Sequence, residues 1–201
     1  MIENVIFDLG NVLLNFKPID FLKRFVKDEK KITSFTSKVI LTDTWLELDR
    51  GLITVENAIK KLQAKFPEEN EIINLFFNHW MEMFTPIHRN IKIVKNLKKK
   101  GYHLYVLSNF IKEACIFVNE KYEFFQCFEG AVYSFQIHHI KPEIEIYEHL
   151  IRTYDLKPEC SVFLDDHLEF LIPARKLGME VIEVKQNTDI EQELMNLDIK
   201  L

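Results

Sequence analysis

The sequence predicts an α/β fold: a doubly wound parallel sheet, Rossmann-like in its core, with a helical-bundle cap inserted after the first strand. Three observations predict it. Short apolar runs recur at the length of buried strands, helical segments alternate with them from Pro86 onward, and a long helical stretch separates the first run from the rest. This divides the chain into a core of residues 1–14 and 86–201 and a cap of residues 15–85. A length of 201 residues fits one such core with an insertion and is enough to bury a proper interior.

Val5-Ile6-Phe7 is a continuous apolar run that stops at Asp8-Leu9-Gly10-Asn11, the pattern of a buried parallel strand ending in a tight turn. From about Lys17 to Phe84 the spacing becomes helical. Phe21, Leu22, Phe25 and Val26 share a face, as do Ala58, Leu62 and Phe66, and then Ile72, Leu75, Phe76 and His79. Gly51 terminates one helix of this bundle and Thr54 caps the next. A helix over Ile87 to Lys99 stops at Gly101, and His103 to Leu107 follows as a strand. Next come a helix from Ile111 to Phe125, a strand over Ala131 to Tyr133, and a helix beginning at Pro142 with Ile144, Tyr147, Ile151 and Tyr154 on one face. Ser161 to Leu164 is the fourth strand. A short helix ending at Leu177-Gly178 leads to a fifth, Glu180 to Val184, and a polar tail closes the chain.

Composition narrows the function. Hydrophobic residues at 47% and charged residues at 28% describe an ordinary globular chain. Twenty-six basic against 31 acidic side chains leave a net charge of −5, a field that repels nucleic acid and anionic lipid. Lys95, Lys98, Lys99 and Lys100 cluster where a helix ends, which suits its negative pole. Cys115, Cys127 and Cys160 show neither a disulfide framework nor zinc spacing and read as buried free thiols. With no basic leader and no apolar run of about 18 residues, the cytoplasm is the expected compartment and a membrane span is not expected.

Three predicted strands end in polar residues: Asp8 and Asn11, Ser108 and Asn109, Asp165 and Asp166. In an open α/β sheet ligands gather beyond the carboxyl ends of the strands, so these groups should converge on one crevice. Asp8, Asp165 and Asp166 would repel one another without a cation among them, and hard oxygen donors with few histidines suit magnesium. Lys141, in a Lys-Pro pair at a predicted helix start, adds a positive charge where an anion is favoured. Carboxylates, a metal and a lysine together describe a phosphate site, in which a metal-bound carboxylate can attack phosphorus in line.

These residues resemble the four motifs of the haloacid dehalogenase superfamily, subfamily I with a helical cap. Val5 to Leu13 is similar to motif I, Leu107-Ser108-Asn109 to motif II, Lys141-Pro142 to motif III, and Phe163-Leu164-Asp165-Asp166 to motif IV. The resemblance implies an aspartyl-phosphate mechanism with Asp8 as nucleophile and Mg2+ held by Asp8, the Gly10 carbonyl and Asp166, supported by Asp165. It implies that Ser108 and the Asn109 backbone hold phosphoryl oxygens and that Lys141 balances charge. The implied substrate is a small-molecule phosphate ester, with no nucleic acid and no membrane involved.

Two departures from the family pattern stand out. Phosphatases of the superfamily usually carry, where this chain has Gly10, a second Asp that protonates the leaving group. A bacterial branch resembling glucose-1-phosphate phosphatase shares Asp-Leu-Gly-Asn-Val, which makes a sugar phosphate with a good leaving group the expected substrate. The acid could instead come from the cap or from His138 or His139. After Asp166 the chain reads His167-Leu168-Glu169-Phe170-Leu171-Ile172-Pro173, and Pro173 suggests a late or distorted helix start. Trp45, Glu47, Asp49 and Arg50 are the cap residues that could face substrate. The competing readings are a catalytically weak binding module of the same fold and a dehalogenase, which by the family pattern would need an aromatic residue at position 10.

Overall fold

A computed structural model describes residues 1–201. β1 (Asn4–Phe7), β2 (His103–Ser108), β3 (Gly130–Tyr133), β4 (Ser161–Asp165) and β5 (Glu180–Glu183) form one sheet in the order β3-β2-β1-β4-β5, with every neighbouring pair parallel. All five predicted strands are present, each to within one residue. Side chains alternate across the sheet as the two-residue period requires. Val5, Phe7, Val106 and Leu164 point into the larger core, while Ile6, Tyr105, Leu107 and Phe163 meet α9 (Ile144–Tyr154) and α10 (Leu168–Lys176) on the other face. Because both faces are covered, the strands read as unbroken apolar runs.

Between β1 and α6 (His88–Lys99) lie five helices: α1 (Pro18–Leu22), α2 (Glu29–Phe35), α3 (Asp43–Asp49), α4 (Val55–Lys65) and α5 (Asn70–His79). Local chemistry sets their starts. Asp28 accepts from the Lys30 and Lys31 amides, Thr42 from Trp45 and Thr54 from Asn57, so each cap satisfies amides that the first turn leaves open. Gly51 follows α3 at φ +67°, and a Cβ there would come within 2.6 Å of the Phe135 carbonyl oxygen, so glycine is required both by conformation and by space. The insertion is packed on aromatic rings: Trp45 sits among Phe16, Phe76, Phe77 and Trp80. The chain leaves the sheet layer and re-enters it at one place. The Asn15 amide donates to the Thr85 carbonyl and the Ile87 amide to the Leu13 carbonyl, each at 2.8 Å.

Several expectations need correction. The buried face of α5 is Ile72, Ile73, Phe76 and Phe77, with Leu75 partly and His79 largely exposed, because the doubled apolar pairs turn toward the aromatic cluster. Phe25 is 40% exposed, since α1 stops at Leu22. The helix predicted to reach Phe125 ends as α7 (Lys112–Lys121), where Tyr122 turns to extended backbone and its hydroxyl donates to the Phe84 carbonyl at 2.7 Å. α9 begins at Ile144 and not at Pro142, because Glu143 closes a turn by accepting from the Ile140 amide. A short helix, α8 (Ser134–Ile137), follows β3 directly.

Pro173 lies inside α10, which starts at Leu168, so the helix start is neither late nor displaced by it. The carbonyl that loses its donor belongs to Glu169, an exposed residue that solvent can serve. The polar tail is also not a tail. Asp189 caps α11 (Ile190–Asn196) through the Gln192 amide, and Ile190, Leu194 and Ile199 are buried against the larger core. All three cysteines are free, but only Cys115 is buried. No helix is long and apolar enough to cross a membrane.

Candidate active site

The strand order reverses direction at β1, whose neighbours are β2 on one side and β4 on the other. A crevice opens beyond the carboxyl ends of strands at such a point. Asp8 follows β1 and extends its pairing to β4, its amide donating to the Leu164 carbonyl at 2.9 Å. The chain then turns sharply: the Leu9 carbonyl accepts from the Leu13 and Leu14 amides at 2.9 and 2.8 Å, and Asn11 sits at φ +53°. Asparagine tolerates that left-handed conformation. Here its side chain has further partners, donating to Asp166 Oδ2 at 3.0 Å and accepting from the Phe16 amide at 3.1 Å. The turn after the first strand is thereby tied to the acidic pair after the fourth.

Lys141 is fully buried. Its Nζ donates to Asp8 Oδ1 at 2.7 Å and to Asp165 Oδ2 at 2.5 Å, and it lies 5.3 and 5.1 Å from the ring centres of Phe163 and Phe170. Asn109 grips the lysine backbone from both sides, accepting from its amide at 2.7 Å and donating to its carbonyl at 3.0 Å. The side chain of Asn109 thus serves the position of Lys141. The remaining oxygen of Asp165 accepts from the His167 amide at 2.8 Å, so this carboxylate is fully engaged in holding the lysine and the following turn. Ser108 ends β2 with 1% exposure, and its Oγ has no hydrogen-bond partner in the protein.

Three carboxylates, Asp8, Asp165 and Asp166, bring one oxygen each within 4.8 Å of the others, against the single ammonium of Lys141. The negative excess acts on Asp165, Asp166 and Lys141. Burial pushes the Asp165 and Asp166 carboxyls upward, and the charge of Asp8 adds to it; Lys141 opposes this for both. Burial alone would lower the Lys141 ammonium, but Asp165 and Asp8 outweigh it and hold it above its ordinary value. Two uncompensated negative charges and hard oxygen donors fit a divalent cation, and a buried hydroxyl without a partner fits an anion with oxygen acceptors.

A cavity of about 450 Å³ opens onto Asp8, Gly10, Lys141 and Asp166. Its other walls are largely apolar, with Phe16, Ile40, Leu41, Trp45 and Leu46 coming from the helical insertion and the segment leading into it. Among the cap residues named from sequence, Trp45 and Asp49 line this cavity. Glu47 instead pairs with Lys61 at 2.6 Å, and Arg50 forms a two-pronged ion pair with Glu143. His138 and His139 do not reach the cavity: the first bonds the Arg50 carbonyl and the second Glu143. Residues 5–184 match the family model of haloacid dehalogenase-like hydrolases.

The chain belongs to this family.

As a haloacid dehalogenase-like hydrolase it is 26% identical over 192 residues to a sesquiterpene phosphatase of Aspergillus oryzae, covering 96% of this chain and 94% of that one. It is likewise 26% identical to a D-ribitol-5-phosphate phosphatase of Bacteroides thetaiotaomicron, over 96% and 97% of the two chains. The same architecture recurs in a haloacid dehalogenase family enzyme from that bacterium, solved with magnesium and inorganic phosphate. The TM-score is 0.76 and the identity 21%, over 96% of this chain and 99% of that one. An L-2-haloacid dehalogenase from Xanthobacter autotrophicus shares the fold at a TM-score of 0.67 and 13% identity, over 100% of this chain and 84% of that one. Sequence had offered Asp49 only as one of four cap candidates, and it gave no signal for Glu169, which also lines the cavity of this hydrolase.

Proposed function

We propose that this chain is a magnesium-dependent phosphatase that hydrolyses small phosphomonoesters through a phosphoryl group carried on Asp8. The observation that carries this reading is the constellation of Asp8, Ser108, Asp165 and Asp166 at the ends of β1, β2 and β4 with Lys141 from the segment before α9, all buried except the partly exposed Asp166, with a partnerless hydroxyl and an excess of carboxylate charge. Asp8 attacks phosphorus in line. Ser108 Oγ and the Asn109 amide hold phosphoryl oxygens, and Lys141 neutralises them while orienting the Asp8 carboxylate. Asp8, the Gly10 carbonyl and Asp166 would hold magnesium, which would supply charge neutralisation for the phosphoryl group. Asp165 keeps Lys141 in place, and residues 15–85 act as the cap that selects the organic part of the substrate and excludes water.

The lining bears on the substrate class. Burying a methylene contributes about 0.8 kcal/mol, whereas a hydroxyl buried without a partner costs about 1–3 kcal/mol. Walls built from Phe16, Ile40, Leu41, Trp45 and Leu46 therefore favour the phosphate of an apolar alcohol, as the name of the Aspergillus relative suggests. A sugar or polyol phosphate, glucose 1-phosphate included, is the second reading, favoured by the Bacteroides relative and the Gly10 motif. Farnesyl monophosphate, glucose 1-phosphate and ribitol 5-phosphate, assayed with magnesium, test the choice. A kcat/KM at least tenfold higher for the prenyl ester is expected; a preference for either hydrophilic ester would overturn the apolar reading, and inactivity on all three would favour a binding module.

A further inference from the structure

Gly10 removes the side chain that would sit beside Asp8 and manage the leaving-group proton. Its absence is not forced by the backbone. Gly10 has no positive φ, and a Cβ built there meets Asp8 Oδ2 at 3.7 Å and Phe16 Cβ at 3.8 Å, ordinary contact distances. A carboxyl could stand there, yet the chain has none. Such proton transfer contributes about 10²- to 10⁴-fold, so hydrolysis of a poor leaving group needs another donor within the cavity.

Besides Asp8, the ionisable groups lining the cavity are Asp49, Lys141, Asp166, His167 and Glu169. Lys141 is spent on Asp8 and Asp165, and Asp166 accepts from Asn11 beside Asp8. His167 and Glu169 are exposed at the start of α10, on the core side of the opening. Asp49 is the one carboxyl contributed to the cavity by the helical insertion, at the last residue of α3. Its side chain has no hydrogen-bond or ion-pair partner in the protein, which leaves its oxygens free for a ligand.

The backbone around Asp49 is fixed to the core by contacts from three successive residues. Ser134 Oγ donates to the Asp49 carbonyl. Arg50 bonds both oxygens of Glu143 and also the His138 carbonyl, the last at 3.0 Å, while His138 Nδ1 meets the Arg50 carbonyl at 2.7 Å. Gly51 packs directly on Phe135, where no larger residue fits. The segment of core that receives these contacts, 134–143, is the one that delivers Lys141. One junction therefore joins the segments that bring Asp49 and Lys141 to the same cavity.

We infer that Asp49 is the general acid and base of this enzyme, taking from the insertion the role that Gly10 cannot fill. The inference rests on the phosphatase reading. As Asp8 Oδ forms its bond to phosphorus, the bond from phosphorus to the ester oxygen breaks, and the Asp49 proton passes to that oxygen, releasing the alcohol. The Asp49 carboxylate then takes a proton from water as the water oxygen attacks phosphorus. The bond to Asp8 breaks, and phosphate leaves with Asp8 and Asp49 restored. Burial pushes the Asp49 carboxyl up to about 7, with Asp8 adding to the rise and Lys141 opposing it, a range in which one carboxyl can both give and take a proton.

Two esters of similar shape separate proton donation from the rest: p-nitrophenyl phosphate, whose leaving group needs no proton, and benzyl phosphate, whose leaving group does. Asp49→Asn is expected to lower single-turnover capture of benzyl phosphate on Asp8 by about 10²-fold or more while changing capture of p-nitrophenyl phosphate less than tenfold. Adding Gly10→Asp to Asp49→Asn should restore at least tenfold on benzyl phosphate, a recovery that a folding defect would not give. Equal losses of capture on both esters without such recovery, or no loss of capture on benzyl phosphate, overturn the role of Asp49. A wild-type chain inert on both esters, with phosphate and magnesium failing to raise its Tm, overturns the phosphatase reading itself.

Discussion

The strand ends and the helical insertion face each other across one cavity, and they are built on opposite principles. On the strand-end side, Asp8 is fixed by pairing to β4, Lys141 by Asn109 and two carboxylates, and Asp166 by Asn11. In the insertion, the groups reaching the cavity are mostly apolar side chains projecting from a shell of aromatic packing. The first arrangement specifies a reaction, because charges separated by hydrogen-bond distances tolerate little displacement. The second specifies a shape, which can be resurfaced residue by residue without touching the reacting groups. Asp49 is the exception, a reactive side chain on the shape-giving side.

Substitutions on the two sides should therefore behave differently, and the largest effect belongs to the strand ends. Asp8→Asn should abolish turnover of every phosphomonoester, by at least about 10⁴-fold, with the fold retained by circular dichroism; residual activity above that level would break the assignment of the nucleophile. Lys141→Met should come next. It leaves two carboxylates buried against each other without their ammonium, so unfolding in urea without metal should show a loss of about 3–5 kcal/mol, part of it recovered when magnesium is added.

On the insertion side, Leu46→Ser changes a half-exposed wall residue. Apolar esters should lose about 1–2 kcal/mol of binding, read as a five- to thirtyfold rise in KM, while kcat and stability remain nearly constant. A matching fall in kcat would mean that shape and reaction are not separable at this position. Smallest is the junction between the two sides. The Arg50 guanidinium, against the opposing effect of burial, holds the Glu143 carboxyl down at about 2, below its unfolded value of 4.5. A depressed folded value means stabilisation that is present above about pH 4.5 and is lost as pH falls toward 2. Arg50→Ala should remove about 1 kcal/mol or less from the urea stability at pH 7 and almost nothing at pH 2.

The same division governs how much was readable beforehand. Strands announce themselves through apolar runs that both faces bury, and a polar residue at each run's end lands in the crevice by topology alone, which is why Asp8, Ser108 and Asp165 were legible as a group. Lys141 was legible as a charge, but its two carboxylate partners depend on the turn that Glu143 closes, a tertiary event. Helical periodicity in the insertion marked which segments were helices and missed which face turned inward, as the α5 pairs show, because Ile72-Ile73 and Phe76-Phe77 satisfy two adjacent faces equally. α11 escaped notice because seven residues with two buried apolar positions resemble a solvated tail until Ile199 is seen folding back on the core. Asp49 was one of four cap candidates with nothing local to single it out; an aspartate ending a helix before Arg-Gly is ordinary until the core segment 134–143 is placed against it.

The paired crossing of the chain at Asn15 with Thr85 and at Leu13 with Ile87 has a consequence for inheritance. An element whose entry and exit are hydrogen-bonded neighbours occupies, from the sheet's side, the space of a simple turn. Exchange of everything between them leaves strand order and register as they were. A donor helical segment with similarly adjacent ends could be spliced at the same crossing, carrying its own wall chemistry onto an unchanged set of strand ends. Residue 49 sets the condition on such a graft: a replacement that omits the carboxyl brings a new shape and leaves the leaving-group proton without a source.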